Sequence, residues 1–163
     1  NEAVAEKAAA RKGSKAKKTD NLDSYVYWTE THTLGIQGVA LVAAIANAGR
    51  YRQDPRSPRK SAMELLRAGV QPLTLLADTK AKTWDYEDRA RVVVQRNAIT
   101  RVRPALREGW TATFDLAVNT PEYISPTYLH ELISAAGRFI GLLDHRPTYG
   151  RFIIVGYTHS ELV

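Results

Sequence analysis

The side chains able to do acid–base or metal chemistry are few and scattered. The four histidines, His32, His130, His145 and His159, stand in no metal-binding spacing such as H-E-x-x-H, and no acid pair brackets them. There is no cysteine. This excludes a thiolate zinc site, a cysteine nucleophile and a disulfide scaffold, and it fits a reducing compartment. The carboxylates form no D-x-D or E-x-x-E array, so two-metal hydrolysis has no support. No P-loop or G-x-G-x-x-G is present, and Gly35-Ile-Gln-Gly38 is too short to cradle a nucleotide. The expectation is therefore no catalytic residue, no metal and no cofactor. A metal-independent acid–base role, if the chain had one, would fall on His145 or His32 with a tyrosine.

Arginine is the residue type whose pattern stands out. The chain has 163 residues and a formal net charge of +6, but that charge is unevenly placed. Residues 1–20 carry six basic side chains against three acids, residues 50–60 five against one, and residues 89–107 six arginines with no acid. These segments together hold +13, which leaves −7 for the rest. Ten of the eleven basic residues in the two inner clusters are arginine, whose planar fork matches phosphate geometry. Such polarisation is the footprint of a polyanion binder. The candidate contacts are Arg50, Arg52, Arg56, Arg59 and Lys60 in one cluster and Arg101 and Arg103 in the other. Most aromatic residues read as core or strand residues. Trp84 and Tyr86 lie in a polar, charged stretch and are the candidates for an exposed wedge or a subunit contact.

These residues need elements to carry them. Residues 1–22 are Ala-, Lys- and Glu-rich with no aromatic residue and read as a flexible basic arm. Residues 23–163 read as one domain. Tyr25 to Leu34 is dense in aromatic and β-branched residues and predicts a strand. Val39 to Tyr51 predicts an Ala-rich helix packed closely on a sheet. Asp54-Pro-Arg-Ser-Pro-Arg-Lys60 predicts an irregular basic loop, because two prolines interrupt any ladder. Ser61 to Ala68 predicts a short helix capped by Ser61 with Glu64 in a capping box, and Gln71 to Ala77 a strand. Arg91 to Asn97 predicts another strand, and Ile99–Leu106 with Trp110–Val118 a hairpin about Arg107-Glu-Gly109. Ser125-Pro126 starts a helix whose apolar face runs Leu129, Leu132, Ile133, Ala136, Phe139 and Ile140 to Gly141. A polar loop then leads to a last strand, Arg151 to Thr158. The order predicts an α+β fold with a ferredoxin-like or RRM-like β-α-β-β-α-β core, and an insert at about 52–90 between the first helix and the central hairpin.

Two segments carry a resemblance. Ile140-Gly-Leu-Leu-Asp-His-Arg-Pro-Thr-Tyr-Gly-Arg-Phe152 resembles the glycine-rich loop of the repeat-associated mysterious protein (RAMP) superfamily, and Leu34 to Arg50 is similar to that family's strand, Gly turn and Ala-rich helix ending in Arg. Pro147-Thr148 stand where a further glycine is usual. The resemblance implies RNA binding along the sugar-phosphate backbone and head-to-tail assembly, as in the backbone-type subunits of CRISPR effector complexes, with the insert at the place of a thumb or web. In this loop Arg146 and Arg151 flank a Pro-bounded bend and join the candidate contacts, or else pair with Asp144 and a helix C-terminus.

The expectation is thus a sequence-independent nucleic-acid-binding subunit, RNA in preference to DNA, of a ribonucleoprotein or filament. It would be a homo-oligomer or part of a multi-subunit assembly. The alternatives are a virion or assembly protein with a genome-facing arm, and a metal-independent endoribonuclease. The longest apolar stretch, Leu34 to Ala46, is 13 residues and too short to span a bilayer. No signal-peptide pattern stands at the N-terminus, and a first residue Asn1 rather than Met fits a trimmed or partial chain. The expected location is the cytoplasm or a viral particle.

Overall fold

Segments whose alanines let backbones approach closely build the core of the larger of two compact units. A computed structural model of the chain describes residues 22–161. Among these, residues 37–77 and 113–161 form one unit and residues 22–36 and 78–112 the other. The predicted basic arm, apart from Leu22, lies outside the described residues. Among the described residues, three α-helices and several small antiparallel sheets make a mixed α+β fold.

In the larger unit, α1 (Gly38–Ala48) buries Leu41, Ala44, Ile45, Ala46 and Ala48 and continues through a 3-10 turn to Tyr51. Those small side chains let α1 pack against α2 (Met63–Gly69) and α3 (Pro126–Ala135). Leu65 and Leu66 of α2 and Leu132 of α3 are at most 1% exposed and close the core with Ile124. The start of α3 follows the sequence signal: the Ser125 hydroxyl oxygen accepts the Tyr128 N–H at 3.1 Å, and Pro126 opens the helix. A π-turn over Ala136–Ile140 ends it, and there Phe139 turns out to solvent rather than continuing the apolar face.

Several local expectations are corrected. Asp54–Lys60 is not an irregular loop; β3 (Gln53–Asp54) and β4 (Ser57–Ser61) form a tight hairpin. The Asp54 carboxylate accepts the Arg56 N–H at 2.8 Å and so closes the turn. Pro58 is harmless because a two-stranded ribbon leaves one edge of each strand unpaired. Ser61, paired with Gln53, does not cap α2; the helix begins after Ala62 with no side-chain cap. The predicted strand 71–77 is two strands, β5 (Val70–Pro72) and β6 (Leu76–Asp78). Between them the N–H groups of Leu73 and Thr74 both reach the Asp115 carbonyl. β5 pairs with β9 (Leu116–Val118), Gln71 opposite Ala117. The last predicted strand, 151–158, joins no ladder among the described residues. It keeps the alternation of one: Phe152 and Ile154 are half-buried, while Ile153 and Val155 are about four-fifths exposed.

In the smaller unit, the predicted strand 25–34 is broken. A 3-10 turn (Leu22–Tyr25) leads to β1 (Tyr27–Trp28), then a turn, then β2 (Leu34–Gln37), which pairs back on β1. The turn wins because the threonines hydrogen-bond locally: the Thr33 N–H donates to the Thr29 hydroxyl, and the Thr29 N–H to the Thr33 carbonyl. The largest element is a ribbon of β7 (Tyr86–Val94) and β8 (Asn97–Ala105).

Candidate nucleic-acid interface

That ribbon overturns the predicted hairpin. Its turn is Gln95–Arg96, both at positive φ (48° and 68°), the conformation of a two-residue type I′ turn achieved without glycine. The β-branched run Val92-Val93-Val94 carries β7 on to this turn, and Val94 pairs with Asn97. The bend at Arg107-Glu-Gly109 is real, with Gly109 at φ 98°, but the chain there leaves β8 instead of folding back on it. The Arg107 N–H donating to the Asp85 carboxylate at 2.8 Å ties the base of the ribbon.

The register sorts the ribbon's side chains into two faces. Tyr86, Asp88, Ala90 and Val92 share one face with Ala105, Arg103, Arg101 and Ile99; Glu87, Arg89, Arg91 and Val93 share the other with Pro104, Val102, Thr100 and Ala98. Arg101 and Arg103 therefore do project from one face of a hairpin arm, as expected, but that face is half-buried. The Arg103 guanidinium lies 3.8 Å from the centre of the Tyr25 ring and donates to the Val102 carbonyl at 2.8 Å. Its geometry is that of an anchor holding the 3-10 turn to the ribbon.

The open part of the ribbon is its distal half. From Val93 to Thr100 every residue is exposed, and no carboxylate stands between Arg89 and Arg107. Arg89 is loosely paired with Glu87 at 3.6 Å. Arg91, on the exposed face, and Arg96, at the tip, make no ion pair among the described residues. Neither was among the candidate contacts. The signal that could have found them is the Val-Val-Val run followed by the polar Gln95-Arg96-Asn97, which marks a turn even without glycine. Trp84, a candidate wedge, is half-buried beside the base of the ribbon.

The remaining candidates lie in the larger unit. Arg50, Arg59 and Lys60 are exposed. Arg52 stands 3.9 Å from Glu131 with both side chains about half-exposed, a contact of little energetic weight. Arg56 is committed. Its Nε and Nη2 donate to the buried Asp54 carboxylate at 3.1 and 2.8 Å, and its guanidinium sits 5.8 Å from the centre of the Tyr123 ring. Hydrogen bonds from the Arg56 side chain and backbone hold the Asp54 carboxyl below its ordinary value, and the same contact raises Arg56.

Arg146 and Arg151 sit on a loop with a closed neck. Gly141, at φ 76°, leaves the π-turn, and Gly150, at φ 80°, lets its carbonyl accept the Leu142 N–H at 2.9 Å. A methyl group at Gly150 would lie 2.0 Å from the Leu142 carbonyl oxygen. Residues 143–149 are exposed, and the Arg146–Pro147 peptide is cis. Each arginine braces the loop from within: Arg146 Nη1 donates to the Leu143 carbonyl and Arg151 Nε to the Pro147 carbonyl, both at 2.9 Å. Neither is within ion-pair distance of a carboxylate among the described residues. The His145 and Tyr149 rings meet at 5.1 Å in the same loop, whereas His32 stacks on Trp28 at 4.4 Å.

Compared with known protein families, curated proteins and solved structures, the chain matches none. The surface must be read from its own chemistry. Among the described residues no three or more His, Asp or Glu side chains gather into a metal site, and no helix is long and apolar enough to cross a membrane. What the arrangement offers is guanidinium forks on rigid, solvent-exposed supports: a β-ribbon in one unit, and a hairpin and a braced loop in the other.

Proposed function

We propose that the chain binds the phosphate backbone of nucleic acid without reading its sequence, as one subunit of a ribonucleoprotein or filament. The observation that carries this is the distal ribbon, where Arg91 and Arg96 project from an exposed, acid-free arm. Single-stranded RNA fits this role. Its phosphates attract guanidinium forks without requiring a groove, and the bases stay outside the ionic contacts. The resemblance of the 140–152 loop and the 34–50 segment to the RAMP superfamily supports RNA over DNA, a β-α-β-β-α-β core and repeated assembly of like subunits in the cytoplasm or a viral particle. The α1 and α3 helices would be the two helices of that core, and the alternating segment 151–158 its last strand.

A binding subunit of this kind performs no catalysis, and one observation favours the alternative. His145 and Tyr149 adjoin each other beside Arg146, a constellation that could move a proton at a ribose hydroxyl and stabilise a phosphate. Incubation with end-labelled RNA in EDTA separates the two: intact, bound RNA supports a binding subunit, and cleavage abolished by His145→Ala supports an endoribonuclease.

A further inference from the structure

A shallow cleft of about 400 Å³ opens in the larger unit between the β3–β4 hairpin and the start of α3. Its walls are flat and ring-bearing, with Pro55 from the hairpin turn and Tyr123 and Tyr128 from the other side. Tyr123 is 41% exposed, and the Arg56 guanidinium lies 5.8 Å from the centre of its ring. The brace has two links. The Asp54 carboxylate, buried in the hairpin, fixes the Arg56 guanidinium, and Arg56 in turn lies against the Tyr123 ring. An aromatic ring held in place by a cation, facing an open cleft, is preorganised to stack another ring.

The polar groups of the cleft also suit a heterocycle. The Gln53 amide donates one N–H to the Pro58 carbonyl, which leaves its second N–H as a donor and its carbonyl oxygen as an acceptor. The Tyr128 hydroxyl has no protein partner among the described residues and, as an ordinary phenol, is a neutral donor at physiological pH; partial burial shifts its pKa further upward. Glu122 at the rim disfavours a phosphate inside the cleft. Arg50, Arg52 and Arg59, on the adjoining turn and hairpin, supply positive charge outside it.

We propose that this cleft is a nucleobase subsite, in which an unstacked base of the bound strand lies on the Tyr123 ring while its phosphates stay on the arginines outside. The inference rests on the nucleic-acid reading above and adds an aromatic contact to it. Stacking on an aromatic residue is sequence-tolerant, because every base has a π-face. The contact is not ionic and leaves the salt dependence of binding unchanged.

The test is fluorescence anisotropy with a fluorescein-labelled, mixed-sequence single-stranded RNA over a range of salt, on the full chain and three variants. Tyr123→Ala should weaken binding about tenfold at every salt concentration with an unaltered slope. Tyr123→Phe should retain wild-type affinity within about twofold, since it keeps the ring. Arg91→Ala should instead lower the slope. If Tyr123→Ala binds as wild type while Arg91→Ala is impaired, the subsite is refuted and the nucleic-acid reading stands. If the wild-type chain fails to bind the RNA at all, the reading and the subsite fall together.

Discussion

The neck of the 142–150 loop makes a quantitative prediction about Gly150→Ala. Two costs add at this position. The residue sits at φ 80°, a left-handed conformation that costs an L-residue with a Cβ about 1–2 kcal/mol. The new methyl would also meet the Leu142 carbonyl oxygen at 2.0 Å and the Leu142 N and C at 2.9 Å. These are backbone atoms that no rotamer change can move. Relief requires the neck to open, and the Leu142 N–H···O Gly150 hydrogen bond goes with it, at about 1 kcal/mol. The expected loss is about 2–3 kcal/mol, roughly 4–12 °C in Tm for a chain of this size. Gly109 isolates the first cost, because it lies at φ 98° and a methyl placed there would meet no neighbouring atom; Gly109→Ala should lose only about 1–2 kcal/mol. Gly156→Ala, in open space and without a left-handed φ, should stay within about 0.5 kcal/mol of wild type. Urea titration and thermal melts followed by circular dichroism read all three. A Gly150→Ala protein as stable as Gly109→Ala would refute the closed neck and the rigid presentation of Arg146 and Arg151 that depends on it.

Two further predictions concern arginines that the structure commits internally. The Asp54 carboxyl titrates below its ordinary 3.8 because Arg56 hydrogen-bonds its charged form, so its contribution to stability is complete above 3.8 and is lost as pH falls through the lower folded value. Asp54→Asn should therefore lower the urea midpoint near neutral pH, and the gap from wild type should close below pH 3.8; a gap independent of pH would count against the pair. Arg103→Ala should cost about 1 kcal/mol by removing the contact with Tyr25, measured by urea titration. Arg91→Ala and Arg96→Ala, on exposed positions, should change stability by less than about 0.5 kcal/mol.

Two helices were legible because each carries its own signal, the Ser125-Pro126 start and the Ala-rich run of α1, whereas the 61–68 helix was placed by a Ser61 capping box that does not form. Their packing follows from small or apolar residues at helical spacing. Strand assignments fared worse where a side chain acts on its own backbone. Asp54 turns a Pro-rich stretch into a hairpin, and the threonines at 29 and 33 break an otherwise strand-like run. The ribbon was misplaced because its turn lacks glycine and because Gly109, farther along the chain, offers the stronger turn signal. The consequence for the interface is specific. Composition located the arginine clusters, but only pairing register shows that Arg103 faces Tyr25 while Arg91 faces outward. Likewise no spacing rule reveals that Arg56 is held by Asp54, or that Tyr123, far along the chain, lies beside it.

The most direct test of a phosphate-tracking ribbon is the salt slope of RNA binding, taken from a double-logarithmic plot of affinity against salt concentration. The wild-type chain should bind a mixed-sequence single strand with a steep negative slope. Arg91→Ala/Arg96→Ala should make that slope shallower by about 1.4, or about 0.7 for each phosphate contact removed from a single strand. A wild-type affinity indifferent to salt, or a double variant with an unchanged slope, would contradict the account.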